Sequence, residues 1–157
     1  MADPPFNIHI PEKVVALASP RRFQAAAAFP AARAVIPQVR RGLLTLLRQS
    51  GLAEVADLAV QAAHEVVANA VTHGCHGFAP DTEVTMTVTC DGQRLRLEVW
   101  DPSTTKPRVR PATHDEVGGR GMLLVAAFAD RWGVQSPEEG GKIVWLELRV
   151  PASPEAQ

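Results

Sequence analysis

The sequence predicts an α+β domain in which one β-sheet is covered on one face by helices. Apolar residues recur at helical spacing in two stretches, 37–51 and 55–73, and with period two in the segments that follow. The resulting order, β-α-α-β-β-loop-α-β-β, contains no internal repeat, and 157 residues suit one domain.

Residues 1–20 hold Pro4, Pro5, Pro11 and Pro20 and no clear period, so they are expected to form an N-terminal extension ahead of a domain at 21–150, with 151–157 as a tail. Arg21 to Phe29 reads as a strand, although its Ala25 to Ala28 run has helical propensity. Pro37 suits the start of a helix, where its missing N–H costs nothing; Val39, Leu43, Leu44, Leu46 and Leu47 continue that helix and Gly51 stops it. A second helix is expected from Val55 to His73, ended by Gly74. Val84, Met86, Val88 and Cys90 alternate with threonines, and Leu95, Leu97 and Val99 alternate with Arg96 and Glu98, while Asp91-Gly92 between them signals a hairpin. Asp101 to Val117 carries Pro102, Pro107 and Pro111 without apolar periodicity and reads as a long loop of the kind that often serves in binding. Gly118-Gly119-Arg120-Gly121 opens an apolar helix reaching Phe128, and Arg131–Gln135 and Lys142–Val150 are the last two strands.

Sixteen Lys and Arg against seventeen Asp and Glu give a formal charge of −1, so no basic excess points to nucleic acid. The start lacks a basic segment followed by an apolar one, and no run approaches the roughly twenty apolar residues of a membrane span. The two cysteines, Cys75 and Cys90, suggest no disulfide framework, which together with the rest predicts a cytoplasmic protein.

Three features carry chemistry. On a helical wheel of the second helix, Ala56, Val60, Ala63, Val67 and Val71 fall on one side and Leu58, Ala59, Ala62 and Val66 on another, leaving only Asp57, Gln61 and His64 to be wet. Glu65 and Asn69, four apart within or beside the second stripe, therefore need partners. They are either a rim carboxylate and a satisfied core amide, or the lining of a cavity for a cation and water, Asn69 acting through its carbonyl oxygen and Glu65 as acceptor or base. Asp101 stands where a strong strand gives way to the loop; it is either a turn starter before Pro102 or an acceptor for a donor-bearing ring such as an amino-purine. The Gly118–Gly121 turn is either a flexible connection or a phosphate cradle, since a helix start presents unsatisfied N–H groups and Arg120 adds positive charge.

The ordered set resembles the histidine-kinase-like ATPase superfamily, the Bergerat fold shared by gyrase, histidine kinases and bacterial anti-sigma serine kinases. The N box of that family looks like His64-Glu65-Val66-Val67-Ala68-Asn69-Ala70, its first glycine box like Trp100-Asp101-Pro102-Ser103, and its second like Gly118-Gly119-Arg120-Gly121-Met122-Leu123-Leu124. Ala129–Val134 and Gly140–Trp145 are similar to the C-terminal strands of small actinobacterial-type anti-sigma regulatory factors, and the similarity spans about 21–150. The resemblance implies a two-layer α/β sandwich, its mixed, mostly antiparallel sheet covered on one face by about three helices. It implies ATP and Mg²⁺ as cofactors, with Asn69 coordinating the metal and Asp101 accepting from the adenine amino group beside Ser103. Gly119, Arg120, Gly121 and Met122 would carry the phosphates, Thr104 to Val117 would form a lid, and Glu65 would be the general base.

Two positions depart from the family pattern: Ser103 replaces a glycine, and Ile143 stands where many relatives carry a threonine that shares the adenine contact with the aspartate. The expected function is that of an anti-sigma-factor-like regulator, a serine/threonine protein kinase acting on an anti-sigma antagonist by partner switching. The alternative is a non-catalytic interaction module that sequesters a sigma factor or another regulator. Its partners would be a sigma factor, an antagonist protein or a second copy in a homodimer, with no direct nucleic acid or membrane contact. His73, Cys75 and His76 have no second cluster at ligand spacing and read as a helix end and loop, with Cys75 as a possible redox-sensitive thiol. Arg40, Arg41 and Arg48 are either a solvated face or a partner-facing one.

Overall fold

A computed structural model describes residues 21–104 and 120–152. The expected extension at 1–20, most of the expected lid, Gly118, Gly119 and residues 153–157 lie outside the described residues.

Strand β1 (Arg22–Pro30) leads through a short 3₁₀ turn into helix α1 (Ile36–Gln49), then α2 (Ala53–Asn69) and a π-helical turn (Ala70–Gly74). Strands β2 (Glu83–Asp91) and β3 (Arg94–Asp101), helix α3 (Arg120–Phe128) and strands β4 (Arg131–Gln135) and β5 (Lys142–Arg149) complete it. The Ala25 to Ala28 run is strand, against its propensity, because β1 buries Phe23, Ala25, Ala27 and Phe29 on one face along nine paired positions with β2. Helix α1 begins with Pro37 in its first turn. It ends at Gly51, whose φ of 74° lies in the left-handed region; the Leu52 and Gly51 N–H groups donate back to the carbonyls of Leu47 and Arg48 at 2.8 and 3.1 Å. At the β2–β3 hairpin the Asp91 carboxylate accepts from the N–H groups of Gln93 and Arg94, each at 2.8 Å. Those donors hold its carboxyl below the usual range.

The sheet runs β1-β2-β3-β5-β4, and every pairing among the described strands is antiparallel. One face buries alternating residues: Val84 to Cys90 on β2, Leu95 to Val99 on β3, and Val144 to Leu148 on β5. They pack against α1, α2 and α3 in one continuous core, forming the two-layer α+β sandwich. The same alternation carries Asp101 and Lys142 onto the buried face, at the end of the sheet where the apolar residues run out.

Candidate functional site

Helix α2 lies between α1 and α3 and over the sheet, which buries Val55, Ala56, Ala59, Val60, Ala62, Ala63, Val66 and Val67. Its wet stripe is wider than the sequence implied. Leu58, expected on an apolar side, is 37% exposed, because it shares the i, i+3, i+4, i+7 stripe with Glu54, Asp57 and Gln61, away from all three packing partners. His64, expected to be wet, is half-buried. Glu65 and Asn69 are also half-buried, four apart on one flank of α2, which places both at the border between core and solvent.

The helical run continues to Gly74, where the sequence placed its end, but after Asn69 it changes form. It widens into the π-helical turn Ala70–Gly74, a distortion that often marks functional sites. Gly74 does not act there as a left-handed helix terminator. It makes room: a Cβ at this position would sit 2.3 Å from the Asp101 carboxyl carbon and 2.4 Å from Oδ2. The turn thus brings the segment after Asn69 against the end of β3.

Asp101 is only 1% exposed, and its register partner on β5 is Lys142, itself 6% exposed. The Lys142 ammonium donates to Asp101 Oδ1 at 2.9 Å, and the Ser103 N–H donates to the same oxygen at 2.9 Å. Both bonds end on Oδ1, so among the described residues nothing donates to Oδ2. Burial pushes the Asp101 carboxyl above the ordinary range, against the opposing pull of Lys142 and the Ser103 N–H. Cys75, half-buried next to Gly74, feels the same environment: burial and the Asp101 charge push its thiol up, which lowers the thiolate fraction that redox chemistry would need. Among the described residues no group of three or more His, Cys, Asp and Glu side chains is placed to hold a metal.

The register corrects one reading of the last strand. Ile143 pairs with Trp100, so it shares the open face of the sheet with Trp145 and cannot stand beside the Asp101 carboxyl. The residue that does is Lys142. Its signal was present in the sequence, because Lys142 is in phase with Val144, Leu146 and Leu148 as Asp101 is with Leu95, Leu97 and Val99. Helix α3 begins at Arg120, which puts the backbone of Arg120, Gly121 and Met122 in its first turn, where N–H groups have no helical acceptor. The Met122 side chain is in the core at 2% exposure, so only its main chain is available to a ligand.

The family model of the histidine kinase-like ATPase domain matches residues 29–148. The chain belongs to that family. Histidine kinase-like ATPase domains are therefore the frame for Glu65, Asn69, Asp101 and the start of α3, all of which fall inside the matched residues. A solved structure, that of the RsbU and RsbW domains of Rv1364c from Mycobacterium tuberculosis, is similar over 82% of this chain at 22% identity with a TM-score of 0.59. The chain spans about a third of that structure, 33% of its length, so the likeness establishes the fold. A comparison with curated proteins finds no match. No helix among the described residues is long and apolar enough to cross a membrane.

Proposed function

We propose that this histidine kinase-like ATPase domain binds ATP with Mg²⁺ and works as an anti-sigma-factor-like serine/threonine protein kinase, transferring phosphate to an anti-sigma antagonist. The observation that carries the reading is the buried Asp101 carboxylate. It is held by Ser103 and Lys142 through one oxygen only and is approached by a glycine where a side chain would collide. An uncommitted acceptor at a strand end fits the exocyclic amino group of a purine. Glu65 and Asn69 support the same reading through their shared flank of α2, as does the start of α3.

In this proposal Asp101 reads the base and Asn69 holds the cation through its amide oxygen. The main-chain N–H groups of Arg120, Gly121 and Met122 bind phosphate, with Gly119 beside them. When bound, Mg²⁺-ATP supplies the transferable phosphoryl group with its charge neutralised. Glu65 would accept the proton of the attacking serine or threonine hydroxyl as its oxygen bonds the γ-phosphorus and the bond from that phosphorus to the leaving ADP breaks. Partner switching with that antagonist belongs to the same proposal and is supported by the resemblance of residues 64–70, 100–103 and 118–124 to the boxes of anti-sigma serine kinases.

One observation favours a second reading, a non-catalytic module that sequesters a sigma factor or another regulator. Lys142 already occupies the Asp101 carboxylate, and Ser103 stands where the family pattern has a glycine. Thermal unfolding with and without ATP and Mg²⁺ separates nucleotide binding from its absence. A ligand at a hundredfold its Kd adds about 2.7 kcal/mol of stability. The proposal expects a Mg²⁺-dependent rise in Tm that Asn69→Ala removes; no rise at millimolar nucleotide would overturn it. Glu65→Gln should keep the rise and lose phosphate transfer to an antagonist. If the parent protein transfers no phosphate although it binds nucleotide, the second reading takes its place.

A further inference from the structure

Lys142 lies buried at the same end of the sheet as the carboxylate proposed to read a base. A buried ammonium is costly to keep, and an apolar residue in phase with Val144, Leu146 and Leu148 would spare the fold that cost. Its position is fixed by a backbone clamp on the open face. Trp100, the register partner of Ile143, donates from Nε1 to the Gly140 carbonyl at 3.1 Å. A Cβ on Gly141 would sit 2.3 Å from the Asp101 carbonyl oxygen and 2.7 Å from Trp100 Nε1, so only a glycine lets the turn before β5 close on the end of β3. Lys142 follows directly, which delivers its ammonium to the Asp101 side chain.

An ammonium has three N–H donors, and among the described residues Lys142 gives only one, to Asp101 Oδ1. The carboxylate takes that bond and the Ser103 N–H on the same oxygen, which leaves Oδ2 as an acceptor. Uncommitted donors and an uncommitted acceptor therefore stand side by side in one buried place, on two groups whose charges cancel. A carboxylate alone would discriminate between purines: it accepts from the 6-amino group of adenine and repels the O6 lone pairs of guanine. An ammonium beside it removes that repulsion. On the six-membered ring, adenine offers a donor at N6 next to an acceptor at N1, and guanine offers an acceptor at O6 next to a donor at N1. The Asp101–Lys142 pair is complementary to either order.

We infer that Lys142 is a second base-reading residue and that it opens the site to 6-oxopurine nucleotides such as GTP as well as to ATP. This rests on the nucleotide-binding role proposed for Asp101. With guanine in place, the Lys142 ammonium donates to O6 while N1–H donates to Asp101 Oδ2. With adenine, the amino group donates to Oδ2 and N1 accepts from Lys142. In both cases the bond between Lys142 and Asp101 Oδ1 is kept, so neither charge loses its partner.

The test titrates the full chain, in the presence of Mg²⁺, with ATP, GTP, N1-methyl-GTP and tripolyphosphate, read by isothermal titration calorimetry. ATP and GTP should bind within about tenfold of one another, and methylation at N1, which removes the donor to Asp101, should weaken GTP by about tenfold or more. Lys142→Met should weaken GTP more than ATP, moving the ratio of the two dissociation constants by about tenfold or more. That change breaks a buried pair, so circular dichroism below the melting temperature establishes that the variant is folded, and the ligand series on the parent protein stands without it. Three results would overturn the inference while leaving nucleotide binding in place: ATP binding without GTP binding at about a hundredfold the ATP Kd, N1-methyl-GTP binding as GTP does, or an unchanged ratio in folded Lys142→Met. Tripolyphosphate binding as tightly as the nucleotides would also overturn it, since the base would then contribute nothing. If neither ATP nor GTP binds, the nucleotide-binding role of Asp101 falls, and the role of Lys142 falls with it.

Discussion

The Asp101–Lys142 pair makes a demanding prediction, because both partners are nearly inaccessible and only 2.9 Å apart. Asp101→Asn leaves a buried ammonium without its counter-charge, and Lys142→Met leaves a buried carboxylate supported, among the described residues, by the Ser103 N–H alone. Removing one partner of a buried pair costs roughly 3–5 kcal/mol, whereas replacing both with groups of similar volume is often nearly neutral. At about 2–4 °C per kcal/mol for a chain of this size, each single variant should lose about 6–20 °C in Tm. The double variant should recover most of that loss, giving a coupling energy of several kcal/mol in a double-mutant cycle. The pH dependence has a definite sign. Burial raises the Asp101 carboxyl in the folded state, so the native form binds that proton more tightly than the unfolded chain does. The resulting stabilisation is complete below the unfolded value, about 3.9, and is lost as pH rises through the folded value. Without the ammonium the folded value climbs further, so Lys142→Met should regain stability on acidification from neutral pH. Thermal melts across a pH series read all three quantities. Single variants that melt like the parent, or single effects that simply add in the double variant, would refute the reasoning.

Two further outcomes follow from the same geometry. Gly74→Ala places a methyl group 2.3 Å from the Asp101 carboxyl carbon, so the carboxylate or the π-helical turn must shift; overpacking of this kind costs about 1–3 kcal/mol, read as a lower urea midpoint with unchanged m-value. Gly51→Ala meets no close atom, the nearest being an Arg21 side-chain atom at 3.8 Å, so its loss of about 1–2 kcal/mol should come from the left-handed backbone alone, and Gly51→Asn should lose less.

Elements with a strong period were legible in the sequence. Val84 to Cys90 and Leu95 to Val99 announced β2 and β3 through alternation, and Asp91-Gly92 announced their hairpin, whose geometry rests on the Asp91 side chain. Pro37 and Gly51 marked the two ends of α1 because each has a backbone property no neighbour supplies. Leu58 was misplaced for a physical reason. A wheel records angle but not which sides of a helix have neighbours, and α2 is covered by α1, α3 and the sheet while the stripe through Leu58 faces solvent. The end of the helical run at Gly74 was legible, but the π-helical form of its last turn was not, because the close approach of the Asp101 carboxylate to Gly74 has no local signal in the sequence.

The identity of Asp101's neighbour required more than a period. Period two says that Lys142 and Ile143 point to opposite faces, but only the pairing of β3 with β5 says which of them meets Asp101, and a slip of one residue would exchange them. The phase of each strand decides it: Leu95, Leu97 and Val99 fix the buried face of β3, and Val144, Leu146 and Leu148 fix that of β5. Any register that kept both apolar sets in the core had to bring a carboxylate and an ammonium to that same face. A lone buried charge there would have penalised the fold, so the two residues constrain each other. That constraint is why the pair, more than either residue, is the unit to mutate first.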